Sequence, residues 1–217
     1  MSEIRNLIAK ELRLEWKQKY AFNGLLLYVV STIFVCFLSF KQIIDPPTWN
    51  ALFWIIMLFA AVNAIAKSFL TESTGRQLYF YSLASAQAVI ISKIIYNLGL
   101  MMILSIINFI FYSLFIGNLV QDVPMFIVGL LLGSAGFASV MTLISAIASK
   151  AGSSSTLMAI LSFPILILLL ITIIRFIKNA MDGLDWSVNY KFLLILVALN
   201  MLTVALSYLL FPYLWRE

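Results

Sequence analysis

The sequence has no histidine, one cysteine and few charges of either sign. Each shortage removes a class of function. Without histidine the chain lacks the commonest metal ligand and the side chain best suited to acid–base work near neutral pH. A lone Cys36 precludes a disulfide within the chain. No G-x-x-x-x-G-K-[ST] stretch occurs, so the chain cannot cradle ATP phosphates in that way. H-E-x-x-H, C-x-x-C-H and any serine–histidine pair are missing too, and catalysis by this chain itself is not expected. The net charge of +5 suggests nucleic acid at first sight. A nucleic-acid reader, however, gathers its bases on one water-facing patch. Here the 14 Lys and Arg fall in short gaps between apolar runs, so no nucleic-acid partner is expected. The first twenty residues mix charges of both signs and lack a small-residue cleavage site, so no signal peptide is expected.

What the chain does have is apolar surface. Hydrophobic residues make up 63%, charged residues 11%, and the mean hydropathy is +1.05. Soluble domains carry roughly 45–50% apolar and about 25% charged residues. Lipid must therefore be the solvent for most of this chain. Six runs contain no Asp, Glu, Lys or Arg: 22–40, 49–66, 94–117, 125–149, 157–174 and 192–215. Each is close to the ~20 residues a helix needs to cross hydrocarbon. Backbone polar groups in lipid must bond internally, and a β-barrel shows ~10-residue alternating stretches instead. The expectation is an all-α polytopic membrane protein of six transmembrane helices.

Positive charge sets the orientation. With the N-terminus cytoplasmic, ten cations lie inside (Arg5, Lys10, Arg13, Lys17, Lys19, Lys67, Arg76, Lys93, Lys150 and Arg216). Four lie outside: Lys41, Arg175, Lys178 and Lys191. This fits the positive-inside rule and, with an even number of spans, puts both termini in the cytoplasm. Asp45, Pro46 and Pro47 mark one outer turn and 117–124 another. The segment 175–191 interleaves Phe176, Ile177, Met181, Leu184 and Trp186 with charges and is expected at the outer interface.

Two cytoplasmic segments stand out. In 4–19, Ile4, Leu7, Ile8, Leu12 and Trp16 recur at helical spacing among Arg5, Lys10, Arg13 and Lys17. That pattern describes a basic amphipathic helix on the membrane surface, either a plain anchor or something more. The division expected is 1–20 as this cytoplasmic helix and 21–217 as the six-helix transmembrane domain. The segment 67–93 is the longest cytoplasmic connection, with Leu78, Tyr79, Phe80, Tyr81 and Leu83 beside Glu72, Gly75, Arg76 and Gln77. Its rings either sit among headgroups or form a docking helix for a cytoplasmic partner.

Within the fourth span, Gly129, Gly133 and Gly136 with Ser134, Ala135, Ala138 and Ser139 form a small-residue face suited to close helix packing. Pro164 in the fifth span removes a backbone bond and should kink it. No span carries an ionisable group in its core, which disfavours a proton relay. Asn63, Asn97, Asn108 and Asn200 are read as interhelical glue.

Three stretches together carry a resemblance: Lys10-Glu11-Leu12-Arg13-Leu14-Glu15-Trp16, the loop 69–93, and Leu131-Leu132-Gly133-Ser134-Ala135-Gly136-Phe137 onward through Lys150, Gly152 and Pro164. In order, spacing and length the chain resembles the haem exporter protein B family, the permease subunits of the cytochrome c maturation ABC transporter. The resemblance implies a six-span, ABC-2-like permease of the bacterial inner membrane. It also implies a separate ATPase subunit that hydrolyses ATP, a haem-handling membrane subunit, and haem as possible cargo. In such permeases the surface helix and the loop between the second and third spans meet the ATPase. Here that points to Glu11, Arg13 and Trp16, and to Glu72, Gly75, Arg76, Leu78 and Tyr79. The family often has an acidic residue after the loop glycine and then prolines, where this chain has Gln77, Leu78 and Ala84-Ser85-Ala86. With no histidine, direct haem ligation would fall to Met, Tyr or Cys36, so haem release elsewhere in the complex suits the sequence as well as translocation does. A permease for another cargo and a passive membrane scaffold are the competing readings.

Overall fold

The computed structural model describes residues 2–17, 19–40, 44–65, 68–69, 84–150 and 155–216. Among them are seven helices and no strand. They are α1 (Ser2–Lys17), α2 (Lys19–Phe40), α3 (Pro46–Ile65), α4 (Ala86–Ile116), α5 (Val123–Lys150), α6 (Ser155–Met181) and α7 (Trp186–Arg216). Six of these, α2 to α7, are long and apolar enough to cross a membrane. The protein is a multi-pass, all-helical membrane protein.

Helix starts follow from local chemistry. Asp45 precedes Pro46 and accepts from the Thr48 backbone N–H at 3.3 Å and the Thr48 hydroxyl at 2.6 Å. An acidic cap followed by proline in the first turn is a favourable helix start, since proline has no N–H to leave unsatisfied. Asp122 caps α5 in the same way, accepting from the Met125 N–H at 2.9 Å. Ser85 caps α4, its hydroxyl accepting from Ala88 N–H. Between α6 and α7, Gly183 adopts φ +66° and Leu184 N–H reaches Asn179 carbonyl at 3.0 Å, the six-to-one bond of a glycine-terminated helix.

Three helices extend well beyond their charge-free runs. α4 begins at Ala86, well before the run at 94, so Lys93 lies inside it. α6 continues past 174 to Met181, and α7 starts at Trp186. The segment 175–191 therefore forms two helix ends joined by a tight turn. Ile173, Phe176, Ile177 and Ala180 are buried along one face, while Arg175 and Lys178 are exposed on the other. Pro164 lies inside α6, which is helical on both sides of it.

α5 is the central post. Of its spanning window 72% is buried, against 11% for α2 at the edge, and it packs on α3, α4, α6 and α7. The small residues allow this. A Cβ on Gly129 would meet Ile177 at 2.5 Å, one on Gly133 would meet the Trp54 ring at 2.5 Å, and one on Gly136 would meet Leu169 at 2.6 Å. Close backbone approach brings dispersion and hydrogen bonding into play where no hydrophobic drive separates helix from lipid.

Candidate functional site

The bundle has two contrasting ends. At the end away from α1, aromatic rings fill the interior. Trp49 stacks on Phe53 at 5.6 Å, Tyr112 meets Trp49 edge-on at 4.8 Å, and Phe126 packs against Phe53 and Phe109. Their polar tips are used: Trp49 Nε1 donates to Gly117 carbonyl at 2.9 Å and Tyr112 hydroxyl to Trp49 carbonyl at 3.0 Å. Asn50 Nδ2 donates to Ile174 carbonyl at 2.8 Å, and Asn189 Nδ2 to Phe176 carbonyl at 3.0 Å.

The α1 end is built from charge. α1 runs beside the first turns of α4, joined by three carboxylates. Glu3 accepts from Ser85 N–H at 2.6 Å, Glu11 from the Lys93 ammonium at 3.4 Å, and Glu15 from the Tyr96 hydroxyl at 2.9 Å. At about 100° per residue, residues 3, 11 and 15 fall within about a third of the helix circumference, one broad side of α1. Leu7, on the same side, packs against the buried cluster that includes Phe69, Val89, Ile90 and Phe211. Arg5, Asn6, Leu12 and Arg13 are exposed on the other side. The helix thus sorts its charges, carboxylates inward and arginines outward.

Lys93 is the hub. Its side chain is 3% exposed, and its ammonium donates to Ser68 carbonyl at 2.6 Å while lying 4.7 Å from the Phe69 ring centre. One turn on, Asn97 donates to Ser68 hydroxyl at 3.3 Å and Thr142 hydroxyl at 2.8 Å. Phe69 N–H reaches Ser145 Oγ at 3.4 Å. Elements distant in sequence (α1, the segment after α3, α4 and α5) therefore meet around one ammonium.

The sequence-derived docking residues fall in three groups. Glu11 faces α4 and is also 3.1 Å from Lys10. Arg13 is exposed beside a shallow depression of about 310 Å³ with Asn6, Ala9, Lys10 and Leu14. The Trp16 side chain and all of Glu72, Gly75, Arg76, Leu78 and Tyr79 lie outside the described residues. Lys93 entered the sequence reading only as a topology charge. The signal that marks it is a single cation inside an apolar helix, opposite acids at 3, 11 and 15. Of the asparagines, Asn97 and Asn200 bridge helices, Asn63 is exposed, and Asn108 is buried with neither side-chain polar atom hydrogen-bonded.

Two lateral grooves lie among the described residues. One, of about 560 Å³, lies between α1, α2 and α4 and includes Leu12, Phe22, Gly99 and Ile103. The other, of about 540 Å³, lies between α4, α5 and α7 and includes Leu98, Ala135, Asn200 and Tyr208. Among the described residues no cluster of His, Cys, Asp or Glu could hold a metal ion, and Cys36 sits half-buried in α2.

The family model described as CcmB protein matches residues 2–213, nearly the whole chain. The chain belongs to the CcmB protein family. As a CcmB-family member it is a membrane permease component of the heme exporter that serves cytochrome c maturation, acting in a complex with other subunits. The CcmB family is a transporter family and not a catalytic one. A search of curated proteins finds no significant match.

Proposed function

We propose that this CcmB-family chain is the permease body of an ABC transporter in the bacterial inner membrane, with both termini cytoplasmic and a separate ATPase subunit docked at the α1 end. The observation that carries the reading is the charge-sorted α1. Its acids are spent on α4, which leaves an exposed arginine face on the opposite side of the helix. Such a face suits an acidic docking surface and sets register through electrostatic complementarity. In the sequence, ten cations in the connections on the N-terminal side of the membrane against four on the other side favour a cytoplasmic N-terminal side. On this reading Arg13, with Trp16, Glu72, Gly75, Arg76, Leu78 and Tyr79, meets the ATPase, and Glu11 acts from behind by holding α1 in place. ATP is hydrolysed by the partner, haem is cargo, and a haem-handling membrane subunit and lipid complete the surroundings.

The filled aromatic interior favours a cargo route along a helix face or between subunits over one through the middle of this bundle. It also suits the release of haem by subunit movement. The test is a deletion strain scored for haem covalently attached to c-type cytochromes, complemented with the wild-type chain or with Arg13→Glu. The expected result is restoration by wild type and failure by the variant, with loss of co-purifying ATPase. Normal cytochromes in the deletion strain would point to another cargo. Full maturation with an ATPase-dead partner would favour a passive scaffold.

A further inference from the structure

Among the described residues Lys93 is the one buried charged side chain. Its contacts include two elements other than its own helix: the Glu11 carboxylate on α1 and, in the segment after α3, the Ser68 carbonyl and the Phe69 ring face. Asn97 and Ser145 then fasten the Ser68–Phe69 pair to α4 and α5. Buried ion pairs are commonly replaceable by apolar residues with no loss of stability, so stability alone does not account for a charge here. What a charge adds is a partner that can be exchanged. Glu11 lies 3.1 Å from Lys10 on its own helix and 3.4 Å from Lys93. The carboxylate can leave one ammonium without becoming unpaired, which is the requirement for an element with two arrangements.

We propose that Lys93 is the positioning residue that couples α1 to the end of α3, so that displacement of α1 is delivered to Ser68–Phe69 and through them to α5. The link rests on the ATPase reading only for the source of the displacement. Glu11, Ser68, Asn97 and Ser145 transmit; none of them needs to touch cargo or nucleotide.

Two measurements test it. In the purified chain in nanodiscs, with no ATPase present, amide hydrogen exchange is compared between wild type and Glu11→Gln. The coupling predicts about tenfold faster exchange at the Phe69 amide together with α1. A change confined to α1 would overturn it. In the assembled complex, the double variant Glu11→Leu with Lys93→Met removes both charges together. The expected result is a thermal midpoint near wild type, intact assembly, and a roughly tenfold loss of the ATP turnover that the permease elicits. Wild-type turnover in the double variant would show that the pair only holds the fold and would overturn the proposal. If the wild-type chain leaves ATP turnover unchanged, the ATPase reading falls, and the exchange experiment still decides the coupling.

Discussion

At the α1 end, neighbouring elements meet through carboxylates, a buried ammonium and hydroxyls, whereas at the opposite end they meet through indole and phenyl rings, with the Trp49 N–H and the Tyr112 O–H donated to carbonyls. The rings interlock by shape, and an aromatic core loses contacts outright when it shifts. The ionic contacts have alternative partners within reach, as Glu11 shows with Lys10 and Lys93. One end is suited to stay fixed and the other to rearrange, and helices that span both can pivot.

Five substitutions break or sharpen that contrast. The largest effect is expected at the fixed end. Trp49→Ala empties the ring cluster and removes the donor to Gly117, costing about 3–5 kcal/mol of unfolding free energy, measured in bicelles. Lys93→Met should cost less, about 2–3 kcal/mol. Breaking a fully buried pair costs more, but Glu11 retains Lys10 and is 16% exposed. If Lys93→Met proved costlier than Trp49→Ala, the assignment of rigidity to the aromatic end would be reversed.

Third comes the central post. Gly133→Ala drives a methyl into the Trp54 ring, itself wedged by Phe53 and Phe137, and should cost about 1–2 kcal/mol. Gly136→Ala meets the ends of the Leu169 side chain, which can turn aside, and should be nearly neutral. Equal losses of thermal stability would mean that ring rigidity does not set the cost. The smallest effect concerns the cap of α3. The Thr48 hydroxyl beside Asp45 holds its carboxyl below the usual carboxylate range. A depressed folded-state pKa stabilises above the unfolded value and loses that contribution as pH falls through the folded one. Thr48→Val should therefore raise the Asp45 pKa and narrow that acid-side window, read by carboxyl NMR titration. An unchanged titration would remove the hydroxyl as the cause.

Much of this was visible in the residues alone. The six spans, the N-terminal helix and the small-residue face of α5 follow from charge-free runs and helical spacing. The start of α4 did not, because a lysine normally ends an apolar run. Lys93 does not end this one, since Glu11 and Ser68, far away in sequence, take up its charge. The end of α6 was hidden the same way by Arg175 and Lys178. The spacing of Ile173, Phe176, Ile177 and Ala180 held the correct answer, with the charges on the opposite side of the same helix. The face of α1 was legible only in part. Its apolar period suggested a helix lying on lipid, but the row Glu3, Glu11 and Glu15 packs against α4, and carboxylates on a basic helix give no hint of their partners.

The most direct test compares the two ends in the assembled complex by amide hydrogen exchange, with and without ATP on the ATPase subunit proposed to dock at the α1 end. The account predicts that α1, Ser68–Phe69 and the start of α4 change protection by tenfold or more. It also predicts that amides around Trp49, Gly117 and Asp122 stay within about twofold. Equal changes at both ends, or changes confined to the aromatic end, would contradict it.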